Sequence, residues 1–102
     1  MPKAYCVASI VRIRDAEAFA RYVAGHPPTL APYGGRFLVK GYSPQPLEGR
    51  WEGSRLVIHE FPSLDQLRAW YESAEYRPWR TLRQQAAEVN VVIAEGGEER
   101  TD

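Results

Sequence analysis

The sequence has little of what secreted, membrane-spanning or nucleic-acid-binding proteins depend on. Its single cysteine, Cys6, cannot form an intramolecular disulfide, so a disulfide framework is excluded and a reducing, cytoplasmic setting is expected. No apolar run approaches the roughly 18 residues of a transmembrane helix, and the first residues lack the apolar stretch of a secretory signal. Thirteen basic residues balance 13 acidic ones, so the net positive charge typical of nucleic-acid-binding domains is missing. We expect neither a membrane nor a nucleic acid as partner.

The 102 residues that are present suffice for one domain with one hydrophobic core. We expect residues 1–96 to form this domain and the polar residues 97–102 to form a tail. Two domains with a deep cleft between them would need a longer chain.

Alternating hydrophobicity and breaker residues predict the order strand, helix, strand, strand, helix in two pieces, strand. The four predicted strands cover residues 4–13, 36–40, 56–61 and 90–94. A further short strand is predicted around 47–48, inside a loop rich in glycine and proline. Asp15 is a predicted helix N-cap, and Ser63 with Gln66 forms a predicted capping box. This order indicates an α+β fold of the ferredoxin-like βαββαβ kind, with one antiparallel sheet and helices on one face.

The two strands predicted to be central, 4–13 and 56–61, are apolar on both faces. Helices would cover only one face of such a sheet. Large uncovered apolar patches usually mark a surface that binds a partner. A second copy of the chain is the simplest cover, because identical surfaces can pack against each other. We therefore expect a homodimer in which the two sheets pack face to face.

Several short strings occur together in a characteristic order and spacing. They are YGGRF (33–37), LEG (47–49), EFPS (60–63) and AWY (69–71), the last followed by Ser73, Glu75 and Tyr76. Together they resemble the family catalogued as domain of unknown function thirteen-thirty, a branch of the dimeric α/β-barrel superfamily, over residues 4–96. The resemblance implies a ferredoxin-like monomer, a homodimer built through the sheets and no bound metal.

The resemblance leaves the reaction open, because the family has no settled activity. Relatives in the wider superfamily include cofactor-independent quinone-forming monooxygenases, muconolactone isomerases and haem-degrading enzymes. To transfer one of these activities to the chain would be to argue from the fold alone.

The candidate catalytic residues lie at the end of the third predicted strand. Alternation places Glu60 on one face of this strand and His59 on the other. One interpretation makes Glu60 a general base with a raised pKa and Arg36 the group that holds an anionic or enolate oxygen of a substrate. The alternative is a structural ion pair between Glu60 and Arg36 at the edge of the sheet.

The histidines and the cysteine each have a catalytic and a structural interpretation. His59 is the second candidate base, and the alternative is a partly buried histidine with one hydrogen bond. His26 precedes two prolines at a helix end, where it is predicted to cap carbonyl groups. Cys6 is predicted to be a buried apolar residue rather than a nucleophile. Their spacing matches no metal-binding motif, so we expect neither a metal nor another cofactor.

Aromatic side chains on the second helical segment and on the strands are typical of a pocket for a planar organic ligand. Tyr71 and Tyr76 are the best candidates for its wall because their hydroxyl groups can bind a ligand, and Tyr5 is a further candidate. Trp70 is predicted to belong to the core. An RNA-binding domain of the same element order would instead expose aromatic residues in a basic surround.

Two functions remain open at this stage. The first is a cofactor-independent enzyme of the isomerase or monooxygenase kind, which removes a proton from a small apolar or aromatic metabolite at Glu60 or His59. The second is a homodimer without catalytic activity, which binds a small molecule or has a structural role. In that case the same charged residues form ion pairs.

Overall fold

The computed structural model describes residues 2–97. Its strands are β1 (Ala4–Ile13), β2 (Arg36–Tyr42), β3 (Arg55–Phe61) and β4 (Ala87–Glu95). Its α-helices are α1 (Ala16–Gly25), α2 (Leu64–Tyr71) and α3 (Arg77–Ala86), and two 3₁₀ turns, Pro27–Thr29 and Ala31–Tyr33, follow α1. The predicted element order is confirmed. Of the predicted tail, residues 98–102 lie outside the described residues.

The short strand predicted around residues 47–48 is wrong. Residues 43–54 form a loop without a strand, and Leu47 is 99% exposed. A strand needs a neighbour to pair its backbone groups, and the adjacent strands β2 and β3 already pair with each other.

The four strands form one antiparallel sheet in the order β2-β3-β1-β4. The two strands predicted to be central, β1 and β3, occupy the middle. In their register Tyr5 lies opposite Glu60, and Cys6 lies opposite His59. The chain therefore has the predicted α+β ferredoxin-like fold.

Helices α1 and α2 begin where the sequence predicts capping. The Asp15 side chain accepts a hydrogen bond from the backbone N–H of Ala18 at the start of α1. Ser63 accepts one from the N–H of Gln66 at the start of α2. Gly34 ends the second 3₁₀ turn at a φ of 73°, a left-handed conformation that favours glycine. No helix within residues 2–97 has the length and apolar character needed to cross a membrane.

The core lies between the sheet and the helices. Its largest fully buried side chains are Trp70, Tyr76, Phe61 and Leu67. The prediction that Trp70 belongs to the core is confirmed, as is the burial of Cys6. Together these residues fix α2 and α3 over the inner face of β1 and β3.

The opposite side of the sheet has no helix over it in the described chain. We call it the open face and define it by Tyr5, Val7, Leu56, Ile58, Glu60 and Val92. Val7 lies opposite both Ile58 and Val92 in the register, so the apolar side chains are contiguous. Val92 is 61% exposed. The sequence-based expectation of an uncovered apolar face therefore matches the monomer.

Candidate functional site

A partly enclosed cavity of about 120 Å³ lies between the inner face of the sheet and the helices. Its wall is mainly apolar and aromatic and includes Phe37, Val57, Trp70, Tyr71 and Tyr76. A protein cavity of about 150 Å³ takes up benzene. The cavity is therefore of a size that suits a single aromatic ring.

His59 stands in this wall with its imidazole surrounded by rings. The ring centroids of Phe37 and Trp70 lie 4.6 and 5.4 Å from the His59 centroid, both nearly edge-to-face. The side chain is buried, and neither ring nitrogen has a hydrogen-bond partner within residues 2–97. This differs from the interpretation of a histidine with one hydrogen bond, because the aromatic side chains around the imidazole offer its nitrogen atoms no hydrogen-bond partner.

His26 approaches His59 from the end of α1. The centroids of the two imidazole rings lie 5.8 Å apart. The His26 ring also stacks on the Tyr22 ring, with a distance of 4.2 Å between their centroids. His26 Nδ1 lies 2.8 Å from the Tyr22 carbonyl oxygen, so the predicted carbonyl cap is present and Nδ1 carries the proton. That leaves Nε2 with a lone pair and no partner in the described chain.

Burial keeps both imidazoles uncharged. It lowers the pKa of His59 to about 3, with a further lowering from nearby His26. It also lowers the pKa of His26 to about 4, although the hydrogen bond to the Tyr22 carbonyl acts in the opposite direction. Both rings therefore offer neutral nitrogen atoms at any physiological pH.

Three tyrosines and an arginine add further polar groups to the wall. The hydroxyl oxygens of Tyr22 and Tyr76 lie 2.7 Å apart. Arg83 donates a hydrogen bond to the Tyr71 hydroxyl across 3.4 Å, and its side chain is buried. Burial also raises the pKa of the Cys6 thiol to about 11, which agrees with its predicted inert role.

Glu60 lies on the open face, on the other side of the sheet from the cavity. Its carboxylate accepts hydrogen bonds from Arg36 Nε at 2.9 Å and from the Tyr5 hydroxyl at 3.0 Å, and Lys3 Nζ lies 3.8 Å away. The hydrogen bond from Arg36 is the main reason why the pKa of Glu60 is lowered. The raised pKa expected of a general base is therefore wrong for Glu60, and the ion-pair interpretation describes the geometry.

The sheet thus divides the six candidate site residues into two groups of three. His59, Tyr71 and Tyr76 line the cavity. Glu60, Arg36 and Tyr5 form one hydrogen-bonded cluster on the open face. The sequence correctly predicts that Glu60 and Arg36 meet, but His59 and Glu60 cannot serve one site within a single chain.

Sequence reasoning missed Arg83, Tyr22 and the proximity of His26 to His59. A signal for Arg83 exists, since it lies on the apolar stripe of α3 with Trp79 and Ala86. A charged residue on such a stripe must be buried or interrupt the packing. No comparable signal shows that His26 meets His59, because the two residues are 33 positions apart.

The family described as domain of unknown function (DUF1330) matches residues 3–97. The chain belongs to this family. No curated protein is significantly similar to it in sequence.

Solved structures with the same fold support the architecture. A protein of unknown function from Rhodopseudomonas palustris is 19% identical, with a TM-score of 0.74 over 96% of this chain and 85% of that one. The cofactor-independent oxygenase SnoaB from Streptomyces nogalater is 12% identical, with a TM-score of 0.69 and full coverage of both chains. A dimeric ferredoxin-like protein of unknown function from Bacteroides fragilis is 14% identical, with a TM-score of 0.58 over 92% and 96%.

The structure also bears on metal binding. Within residues 2–97, no three side chains of His, Cys, Asp or Glu converge on a point where they could hold a metal ion. His26, His59 and Cys6 all line the cavity, but within the described residues these three side chains do not form a group that could hold a metal ion.

Proposed function

We propose that this member of the family binds a small apolar or aromatic molecule in the cavity and removes a proton from it through His59. The carrying observation is the buried imidazole, whose two nitrogen atoms lack partners in the described chain although they line a cavity of about 120 Å³. A buried polar atom without a partner costs folding free energy, about 1–3 kcal/mol. A ligand that supplies the missing hydrogen bond recovers this cost.

The low pKa of His59 determines which proton it can take. The imidazole is always in its basic form, but a pKa of about 3 makes it a weak base. The substrate must therefore carry an acidic hydrogen, such as that of a carbon next to a carbonyl group. In the apolar cavity, the attraction between the resulting imidazolium and the substrate anion offsets part of the cost of charging the ring.

The proton moves from the substrate carbon to a nitrogen of His59. The electron pair of the broken C–H bond stays on the substrate, which becomes an enolate anion. Return of the proton to a different atom of this anion gives an isomer. Reaction of the anion with dioxygen would give an oxygenated product. The likeness of the fold to a cofactor-independent oxygenase makes the second fate worth testing.

Hydrogen exchange tests this proposal without a known substrate. Phenylacetone and phenylpyruvate each have one ring and benzylic hydrogens next to a carbonyl group, and one is neutral while the other is an anion. We expect the protein to accelerate exchange of these hydrogens for deuterium in D₂O, as measured by NMR, for at least one of the two. His59→Gln should abolish the acceleration, since glutamine keeps polar atoms but has no basic nitrogen.

Glu60→Gln is the matched control for this experiment. It changes the neighbouring residue of β3, whose side chain lies on the open face. The control should exchange as fast as the unchanged protein. Equal rates with and without the protein, or an active His59→Gln variant, would contradict the proton abstraction. Binding of either probe without exchange would support the alternative, a binding protein without catalytic activity.

We further propose that two copies of the chain pair through their open faces. Val7, Ile58 and Val92 form a contiguous apolar strip there, and the dimeric protein from Bacteroides fragilis shares the fold. Burial of such a strip is favourable by about 25 cal/mol for each Å² removed from water. Sedimentation equilibrium at micromolar concentration should give twice the chain mass of 11.6 kDa. A single species of 11.6 kDa would contradict the pairing.

A further inference from the structure

Arg83 is a buried cation without an acidic partner. Its side chain is 7% exposed, and no carboxylate oxygen within residues 2–97 lies within 4.0 Å of its guanidinium group. Its hydrogen-bond partners are the hydroxyl groups of Tyr71 and Tyr76 rather than carboxylates. A guanidinium group keeps its charge even when buried, and an unpaired buried charge is costly to the folded state.

Glu88 is the acidic residue to consider as a partner, because it lines an open depression that also includes Arg83 and adjoins the cavity. Its carboxylate pairs with Arg12 instead, at 3.5 Å, and its side chain is half exposed. Glu88 therefore does not balance the charge of Arg83.

The remaining charged residues of the cavity wall have the same sign. Lys40 and Arg55 line the cavity together with Arg83, and no aspartate or glutamate among residues 2–97 does so. Lys40 lies over the Phe37 ring, 4.5 Å from its centroid, and Arg55 lies over the rings of Phe19 and Tyr42. An apolar cavity with three cations in its wall attracts anions and repels cations.

We infer that the natural ligand of the cavity is a small aromatic carboxylate whose carboxylate group binds the Arg83 guanidinium. The inference rests on the proposed function, since it names the substrate class of the same cavity. The planar guanidinium group matches a carboxylate with two parallel hydrogen bonds, and such charge-assisted bonds are stronger than neutral ones. The ring of the ligand occupies the aromatic part of the wall, around His59.

Benzoate and benzamide test this inference, because they have the same shape and differ in charge. Binding of each to the full chain is measured by NMR titration of the ¹⁵N-labelled protein. We expect benzoate to bind at least about tenfold more tightly than benzamide, as a charge-assisted hydrogen bond would give. In Arg83→Gln this preference should disappear, whereas Arg83→Lys should keep part of it.

Arg77→Gln is the control variant. Arg77 belongs to the same helix and carries the same charge, but it is exposed and does not line the cavity. It should keep the full preference for benzoate. A comparable loss in Arg77→Gln would mean that the net charge of the protein, rather than Arg83, selects the anion, and this would overturn the inference.

Stability gives a second measurement that separates a binding role from a structural one. If Arg83 is retained for an anionic ligand, Arg83→Met should raise the Tm of the ligand-free protein, because it removes an unpaired buried charge. A structural arginine would lower the Tm when replaced. A lower Tm of Arg83→Met in the absence of ligand would overturn the inference.

The outcomes distinguish this inference from the proposed function. If benzoate and benzamide bind equally well, the cavity is a binding site but the inference is wrong. If the probes of the exchange experiment and both of these probes fail to bind, both the inference and the proposed function are wrong. Should Arg83→Gln not fold, Arg83→Lys takes its place, and an undiminished preference for benzoate in that variant would overturn the inference.

Discussion

The two faces of the sheet treat two neighbouring residues of β3 in opposite ways. His59 faces the cavity, where burial lowers its pKa and leaves its nitrogen atoms without partners in the described chain. Glu60 faces the open side, where Arg36 and Tyr5 donate hydrogen bonds to its carboxylate. Both pKa values are lowered, but for opposite reasons. The surroundings of His59 disfavour its charged form, whereas those of Glu60 favour its charged form.

This difference indicates which of the two residues is suited to interact with a ligand. A group whose hydrogen bonds are already satisfied gains little from a ligand, and Glu60 is such a group. An unsatisfied buried group gains much, and His59 is such a group. A lowered or raised pKa alone would not separate the two, because structural ion pairs also shift pKa values.

The largest effect is expected from a charge placed in the centre of the open face. Ile58→Asp should abolish pairing of two copies, since each copy would bury a carboxylate without a partner. Sedimentation equilibrium should then give 11.6 kDa rather than twice that mass. Val23→Asp is the control, because Val23 is 41% exposed on α1, and it should leave the mass unchanged. A paired Ile58→Asp variant would show that the open face is not the contact.

As the pH falls, the folded protein should lose the stability that depends on the cavity histidines at a higher pH than the stability that depends on Glu60. His59 and His26 have lowered pKa values in the folded chain, so the stability that depends on their neutral forms is complete above pH 6.5. It is lost as the pH falls towards 4 and 3, by up to about 1.4 kcal/mol per pH unit for each histidine. The contribution of Glu60 is present above its ordinary pKa of 4.5 and is lost only below it.

Denaturation by urea between pH 6.5 and 5 therefore isolates the histidines. His59→Phe should reduce the slope of stability against pH by about 1.4 kcal/mol per unit towards the lower end of this range. Glu60→Gln should leave the slope unchanged there. An unchanged slope in His59→Phe would mean that this imidazole is not kept neutral by burial.

The smallest effect is expected from removing one hydroxyl group on each face of the sheet and comparing the losses in the free energy of unfolding. Tyr76→Phe leaves the Tyr22 hydroxyl without its partner at 2.7 Å in a buried place, and it should cost about 1 kcal/mol. Tyr5→Phe should cost less, because Glu60 keeps its hydrogen bond from Arg36. The free energies of unfolding in urea give both values. A larger loss in Tyr5→Phe would reverse the comparison between the faces.

Much of the fold could be predicted because its signals are local. Asp15 and Ser63 cap helices as predicted, since a capping side chain reaches backbone groups only three residues away. Alternation correctly assigns His59 and Glu60 to opposite faces of β3. The strand predicted around 47–48 was wrong because pairing depends on a neighbour that the local pattern does not specify.

The candidate site could be predicted only in part. Tyr71, Tyr76 and His59 were chosen for their chemistry and line the cavity. Of the two interpretations of Glu60, the general base with a raised pKa is wrong and the ion pair with Arg36 is present, because both Arg36 and Tyr5 donate hydrogen bonds to its carboxylate. Arg83 was missed because its position on a helical stripe predicts burial but does not show whether an acidic side chain meets it.

By itself, the sequence determined the order of the elements, which residues share a face of each strand, and that one face of the sheet is left apolar and uncovered. These properties follow from the periodicity of the backbone, which any short segment carries. Only the tertiary structure decided that His26, His59 and Arg83 enclose one cavity and that Glu60 is excluded from it. Burial and hydrogen-bond satisfaction depend on which distant segments meet, so no local pattern could supply them.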